Sequence, residues 1–303
     1  MSGSTSSVGP SVSVVAIGGG HGLAATLRAV RRYADSITAV VSVADNGGSS
    51  GRLRDTLGLP PPGDIRKCLG ALADPNSMLA NALEYRFDTG ELKGHTLGNL
   101  LIAGLTEFCG DFVAALDETA RLLGACGRVL PATSVPVVLK AVDVHSFGIP
   151  TQVEGQVQIA ATTRILEVSH LPENPPVEAG VIKALQDADQ IVIGPGSLYT
   201  SVLAVVGIPT IRESLVGSNA QTVYVANLRT QVPETANYDV GAHVRALLAH
   251  GIKPDTVLCD STHIALGDIP CNFINTALAA DELPGSHDPV KLATALKDLL
   301  NSQ

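Results

Sequence analysis

A short β-branched run that ends on a cluster of glycines constrains this chain more than any other feature. Residues 12–17 (VSVVAI) read as a strand and residues 18–22 (GGGHG) as a turn. The segment after the turn puts Leu23, Leu27 and Val30 on one helical face and Arg28, Arg31 and Arg32 off it. A second strand pattern spans 37–43 and ends in the loop 44–51 (ADNGGSSG). Strand, glycine turn, helix, strand is the opening βαβ unit of a doubly wound α/β sheet.

The rest of the chain continues in that style. Residues 60–63 (PPPG) form a stiff connector, after which Asp64 sits where an N-cap belongs before a helix at 65–72. Residues 78–126 read mainly as helix, with breaks at Gly90, Gly94 and Gly110, and strand character with an antiparallel look returns at 137–144 and 165–168. The α/β rhythm then resumes. Helices are expected at 177–188, 240–250 and 289–300, and strands at 190–193, 222–226 and 256–260. The expectation is a leader over 1–11 that stays disordered, then one mostly parallel α/β domain over 12–303 with a mainly helical insert at about 75–130. Hydrophobic residues make up 45 % of the chain against 16 % charged, which excludes a disordered protein, and with 3 % aromatics and no Trp the core must be small aliphatics. Such residues suit parallel strands buried on both faces.

Charge and cysteine usage narrow the partners. The net charge of −9 argues against nucleic acid or an anionic membrane as the main partner, and no apolar run is long enough for membrane insertion. A soluble, cytoplasmic protein is expected. Cys68, Cys109, Cys126, Cys259 and Cys271 never fall in a C-x-x-C spacing and read as reduced, mostly buried thiols.

Three glycine loops could carry chemistry. In the first, Gly20-x-Gly22-x-x-Ala25 lets backbone approach a diphosphate at a helix N-terminus, with Asp45 placed as a ribose-binding acid. A tight turn packed under a helix is the plain alternative. In the second, residues 45–52 (DNGGSSGR) suit a loop that wraps an anion or a sugar, against the plain reading of a solvent loop. Asp45 and Asp64 could together hold Mg²⁺ against phosphate oxygens, although Asp64 reads equally well as a cap. The third loop, 194–197 (GPGS), is another strand-to-helix turn, so two such loops could embrace one ligand. His95, in a helix start with Thr96 and Asn99, is a candidate acid or base, or simply a capping histidine. A P-loop is excluded because no Gly-Lys-Ser/Thr occurs.

Six motifs occur in order: 18–23 (GGGHGL), 44–54 (ADNGGSSGRLR), 60–66 (PPPGDIR), 94–101 (GHTLGNLL), 194–201 (GPGSLYTS) and 288–292 (DPVKL). Together they resemble the bacterial gluconeogenesis factor family, a branch of the superfamily of 2-phospho-L-lactate transferase. The resemblance covers nearly the whole chain after the leader. It implies a Rossmann-like fold, a bound UDP-sugar (UDP-N-acetylglucosamine) and a role in keeping wall synthesis and cell shape intact on gluconeogenic carbon sources, with no established reaction. It places Gly19, Gly20, His21, Gly22, Asp45, Asn46, Gly47, Gly48, Ser49, Gly194, Pro195, Gly196, Ser197 and Asn227 along the nucleotide-sugar cleft. Many relatives carry a second Asp where this chain has Asn46, and residues 261–284 look divergent from the family segment expected to reach the base.

Three functions therefore compete. A nucleotide-sugar-binding regulator, read by a protein partner in cell-wall control, leads. A metal-dependent phosphotransferase similar to the transferase branch needs Asp45, Asp64 and Mg²⁺. A nicotinamide-dependent dehydrogenase accounts for Gly20, Gly22 and Asp45 but leaves the second glycine loop unexplained. Pairing of two chains is expected only from the frequency of dimers among soluble proteins.

Overall fold

A computed structural model describes residues 11–144, 150–283 and 285–302. Apart from Ser11, the expected leader lies outside the described residues. β1 (Ser13–Gly18) leads into α1 (Gly20–Val30) and β2 (Ser36–Val41), followed by α2 (Gly48–Leu57) and α3 (Gly63–Leu72). Next come α4 (Met78–Ala82), α5 (Leu97–Cys109), α6 (Phe112–Leu123) and β3 (Arg128–Pro131). A smaller unit holds β4 (Val138–Val144), β5 (Pro150–Glu154), α7 (Gln156–Ala160) and β6 (Ile165–Leu171). The chain continues through α8 (Ala179–Asp187) and β7 (Gln190–Ile193), then a π-helical turn (Leu198–Val202) that runs into α9 (Leu203–Val206) and α10 (Pro209–Val216). β8 (Gln221–Val225), α11 (Val240–Ala249), β9 (Thr256–Cys259), β10 (Phe273–Asn275) and α12 (Pro289–Asn301) complete it.

Seven strands form one parallel sheet in the order β10-β9-β8-β7-β1-β2-β3. This is a Rossmann-like α/β fold. β7 and β8 are buried at every residue and β1 at all but its first, as expected of strands covered on both faces. Leu23, Leu27 and Val30 are fully enclosed on the apolar face of α1, which packs on α3 and α12. Burying a side chain of that size contributes about 1.5–3 kcal/mol. A second, antiparallel sheet has the order β5-β4-β6.

Several local expectations need correction. The edge strands β3 and β10, of four and three residues, give too short an apolar pattern to stand out. β5 and α7 are likewise additional to the expected elements. Asp64 is not an N-cap: α3 begins at Gly63 after Pro62, so Asp64 lies inside the first turn and its side chain makes no cap bond. Two of the five thiols, Cys109 and Cys126, are exposed, and only Cys68 and Cys259 are buried.

Candidate functional site

Strand order decides where the loops meet. The chain fills the sheet in one direction from β1 and in the other from β7, so the switch point lies between these neighbours. Ligands of open α/β sheets bind at the carboxyl ends of the strands flanking such a point. Ile17 and Ile193 stand opposite one another at the last rungs, and Gly194 N–H donates to the Ile17 carbonyl at 2.9 Å. The two glycine turns therefore leave the sheet side by side. A Cβ on Gly22 would lie 2.2 Å from the Pro195 carbonyl oxygen, so the bare backbone at Gly22 is required by the neighbouring turn. Gly20 has φ +64°, a left-handed conformation that opens α1.

Three helix N-termini converge on this edge. α1 starts after Gly19, α2 after Gly47 and α3 after Pro62, and none has a capping side chain. Their mutual approach is close. A Cβ on Gly19 would meet Asp64 Oδ2 at 2.7 Å, and one on Gly63 would meet Ser50 Oγ at 2.3 Å and Asp45 Oδ2 at 3.7 Å. Unpaired N–H groups and the positive ends of helix dipoles attract anions, most strongly diphosphates that several termini can share.

Charged groups at this edge are few and constrained. Asp45 Oδ1 accepts from Gly47 N–H at 2.8 Å. Burial raises its pKa above the usual carboxylate value, and the Asp64 charge pushes the same way. Asp64 accepts from Lys67 Nζ at 3.0 Å, so the expected carboxylate pair comes with a lysine that the sequence reading missed. Burial and the Lys67 charge lower the His21 pKa, leaving it a neutral donor and acceptor at pH 7. Among the described residues no group of three or more His, Cys, Asp or Glu side chains could hold a metal ion.

The second loop is anchored from behind. Ser49 Oγ lies 2.9 Å from His95 Nδ1 and accepts from Asn99 Nδ2 at 3.0 Å. With that lone pair used, the hydroxyl proton is free to point at the imidazole, whose pKa is lowered by desolvation and by Arg52 and Arg86. Asn99 Oδ1 and Thr96 Oγ1 accept from buried Arg66, whose fork also closes on Glu84 at 3.1 and 3.0 Å. The sequence reading missed one signal here: residues 47–51 have Gly-x-Ser-x-Gly spacing around Ser49. A hydrolase elbow needs a strained serine between strand and helix. Ser49 is instead an ordinary first-turn residue of α2, and among the described residues no non-glycine has positive φ. Asn46 meets the start of α7, its Oδ1 accepting from Val157 N–H at 3.1 Å.

The third loop is already filled by a carboxylate. Glu234 accepts from Tyr199 N–H at 3.0 Å, Thr200 N–H at 3.1 Å and Ser197 Oγ at 2.5 Å, and is only 3 % exposed. Ser197 also meets Thr200 Oγ1. The N–H groups opening the π-helical turn are therefore spent on the protein's own anion, which nothing in the local sequence signals. Asn227 closes both amide ends on Gly196, with Oδ1 accepting its N–H at 2.9 Å and Nδ2 donating to its carbonyl at 2.8 Å. Asn227 and Glu234 hold the Gly194–Ser197 loop in place.

A family profile described as 2-phospho-L-lactate transferase CofD matches residues 14–299. The chain belongs to this family. Within it, the chain is 40 % identical over 314 residues to a putative gluconeogenesis factor of Mycobacterium leprae, covering 96 % of this chain and 86 % of that one. It is 38 % identical over 282 residues to the gluconeogenesis factor of Bacillus subtilis, covering 91 % and 80 %. A crystal structure of a UPF0052 family member from Bacillus halodurans superposes with TM-score 0.87 at 35 % identity, covering 95 % of this chain and 99 % of that one. The family member therefore shares this architecture along nearly its whole length.

Proposed function

We propose that this protein is a nucleotide-sugar-binding regulator, with UDP-N-acetylglucosamine as its ligand. The convergence of three helix N-termini without capping side chains at the β1 and β2 tips carries this reading. Their N–H groups would take the diphosphate, Lys67 would add one cation, and Asp45 would accept from a ribose or sugar hydroxyl. The name shared by the relatives, gluconeogenesis factor, supports a role in gluconeogenic growth. On this reading the liganded protein acts in the cytoplasm, where a protein partner reads its state and adjusts wall synthesis and cell shape. Ligand at a hundred times its Kd adds about 2.7 kcal/mol to the folded state. UDP-N-acetylglucosamine should therefore raise the melting temperature clearly, and UDP less so. A melting curve unmoved by saturating UDP-sugar but shifted by another nucleotide overturns the proposal.

A metal-dependent phosphotransferase is the second reading, favoured by the like-charge pressure of Asp64 on Asp45. Mg²⁺ takes one or two carboxylates and completes its shell with waters and phosphate oxygens, so this oxygen pair suits it once Lys67 yields Asp64. The ion would neutralise phosphate charge, while the hydrogen-bonded pair Ser49 and His95 would hold or move a proton. Mg²⁺-dependent nucleotide turnover that disappears in Asp45→Asn would establish this reading. No turnover with any acceptor would rule it out.

A further inference from the structure

At the opposite end of α1 from the strand tips lies a cleft of about 510 Å³ whose lining includes Arg28, Arg31, Arg32, Gly70, Asn81 and Pro289. Three arginines within five residues, Arg28 in the last turn of α1 and Arg31 and Arg32 just past its end, are conspicuous in a chain of net charge −9. All three line the same cleft. Arg31 is fixed in place, its Nη1 donating to the Ala71 carbonyl at 3.0 Å and the Ala73 carbonyl at 2.7 Å, which leaves Nε and Nη2 without a partner among the described residues. Arg28 and Arg32 are exposed and make no hydrogen bond or ion pair among the described residues. Asp288 feels the Arg32 charge, and both it and Asp74 spend one oxygen on backbone N–H groups. Asp288 caps α12 by accepting from Val290 and Lys291 N–H, and Asp74 accepts from Asn76 N–H.

Compensation of the α1 dipole accounts for a cation in the last turn, worth about 0.3–1 kcal/mol. It does not account for three of them around a hollow. Guanidinium forks match phosphate and carboxylate oxygens with two parallel hydrogen bonds, and the volume falls in the range of small-molecule sites, roughly 300–1,000 Å³. The Asn81 amide and the apolar surface of Pro289 add the mixed lining of a metabolite site. We infer that this cleft binds a small phosphorylated anion, at a site separate from the strand-tip loops. The arginines supply the attraction, against the carbonyl, partly negative ends of α1 and α3 and beside the N-terminus of α12, which Asp288 caps.

Titration calorimetry of the full chain with inorganic pyrophosphate, in metal-free buffer of low ionic strength, tests the inference. The unmodified protein should bind. Binding should weaken at least tenfold in the Arg28→Ala/Arg32→Ala double variant, which spares the structural Arg31. Gly70→Glu should weaken it similarly by placing a negative charge in the cleft, and a Cβ at Gly70 meets no atom within 4 Å. Unchanged circular dichroism and melting would show that both variants fold. Pyrophosphate binding that persists with UDP-N-acetylglucosamine at saturation supports a separate site; if the nucleotide sugar does not bind, the loss in the two cleft variants alone places the probe. The inference is overturned if pyrophosphate gives no binding heat, if the double variant binds within twofold of the unmodified chain, or if the nucleotide sugar displaces the probe.

Discussion

Glu234 shows how one side chain can decide what a loop is free to do. Its carboxylate occupies the place an incoming anion would take at the start of the π-helical turn, and burial raises its pKa. Glu234→Ala would leave two backbone N–H groups and the Ser197 hydroxyl without their acceptor. Leaving a buried group unsatisfied costs about 1–3 kcal/mol. A urea titration should therefore show a loss of that order or more, together with weaker UDP-sugar binding as the Gly196 loop loosens. Glu234→Gln keeps an acceptor oxygen and should retain most of both. Equal damage from the two substitutions would mean that the charge itself, and not the acceptor geometry, is what the loop requires.

At the scale of elements, Arg66 ties α3 to α5 and to the segment after α4 through Thr96, Asn99 and Glu84. Arg66→Ala would strand Thr96 and Asn99, while Glu84, whose side chain is 55 % exposed, could turn to water. We expect a loss of roughly 2–3 kcal/mol by chemical denaturation, below the upper range for a fully enclosed pair. The Ser49–His95 contact should loosen too, visible as a rise of the His95 pKa by NMR titration. The sequence revealed the elements that such networks connect better than the networks themselves. Glycines at 18–22 and 194–196 announce strand-to-helix turns because a missing side chain is itself the signal. The partners of Arg66 lie 18 to 33 residues away, and nothing in a linear pattern links them. Gly22 was legible as a glycine that had to be there, but its reason, the Pro195 carbonyl, needed the fold.

For the whole molecule, acid should be the sharpest stress. Burial lowers the pKa of His170, His243 and His287, the last to about 4. As pH falls below 6.5, the unfolded chain takes up protons that the folded one refuses. Their contribution is full above that pH and is lost as pH drops toward the folded values, at up to about 1.4 kcal/mol per pH unit for each group. Asp45 and Glu234, with raised values, hold protons in the folded state and partly offset the loss at the lower end. Urea midpoints at pH 7.5 and 5 should differ clearly, and by less in His287→Gln, whose amide can still donate to the Ala226 carbonyl that His287 Nε2 contacts at 3.2 Å. A pH-independent midpoint would contradict this account.

The interior position of β1, between β7 and β2, also bears on synthesis. It pairs with β2 almost as soon as the ribosome releases them, yet its other neighbour, β7, ends only at Ile193. Through most of translation one side of this interior strand has unmet backbone groups, the kind of open edge that invites pairing between chains. Nascent chains stalled before that point should depend on chaperones in a way the finished protein does not.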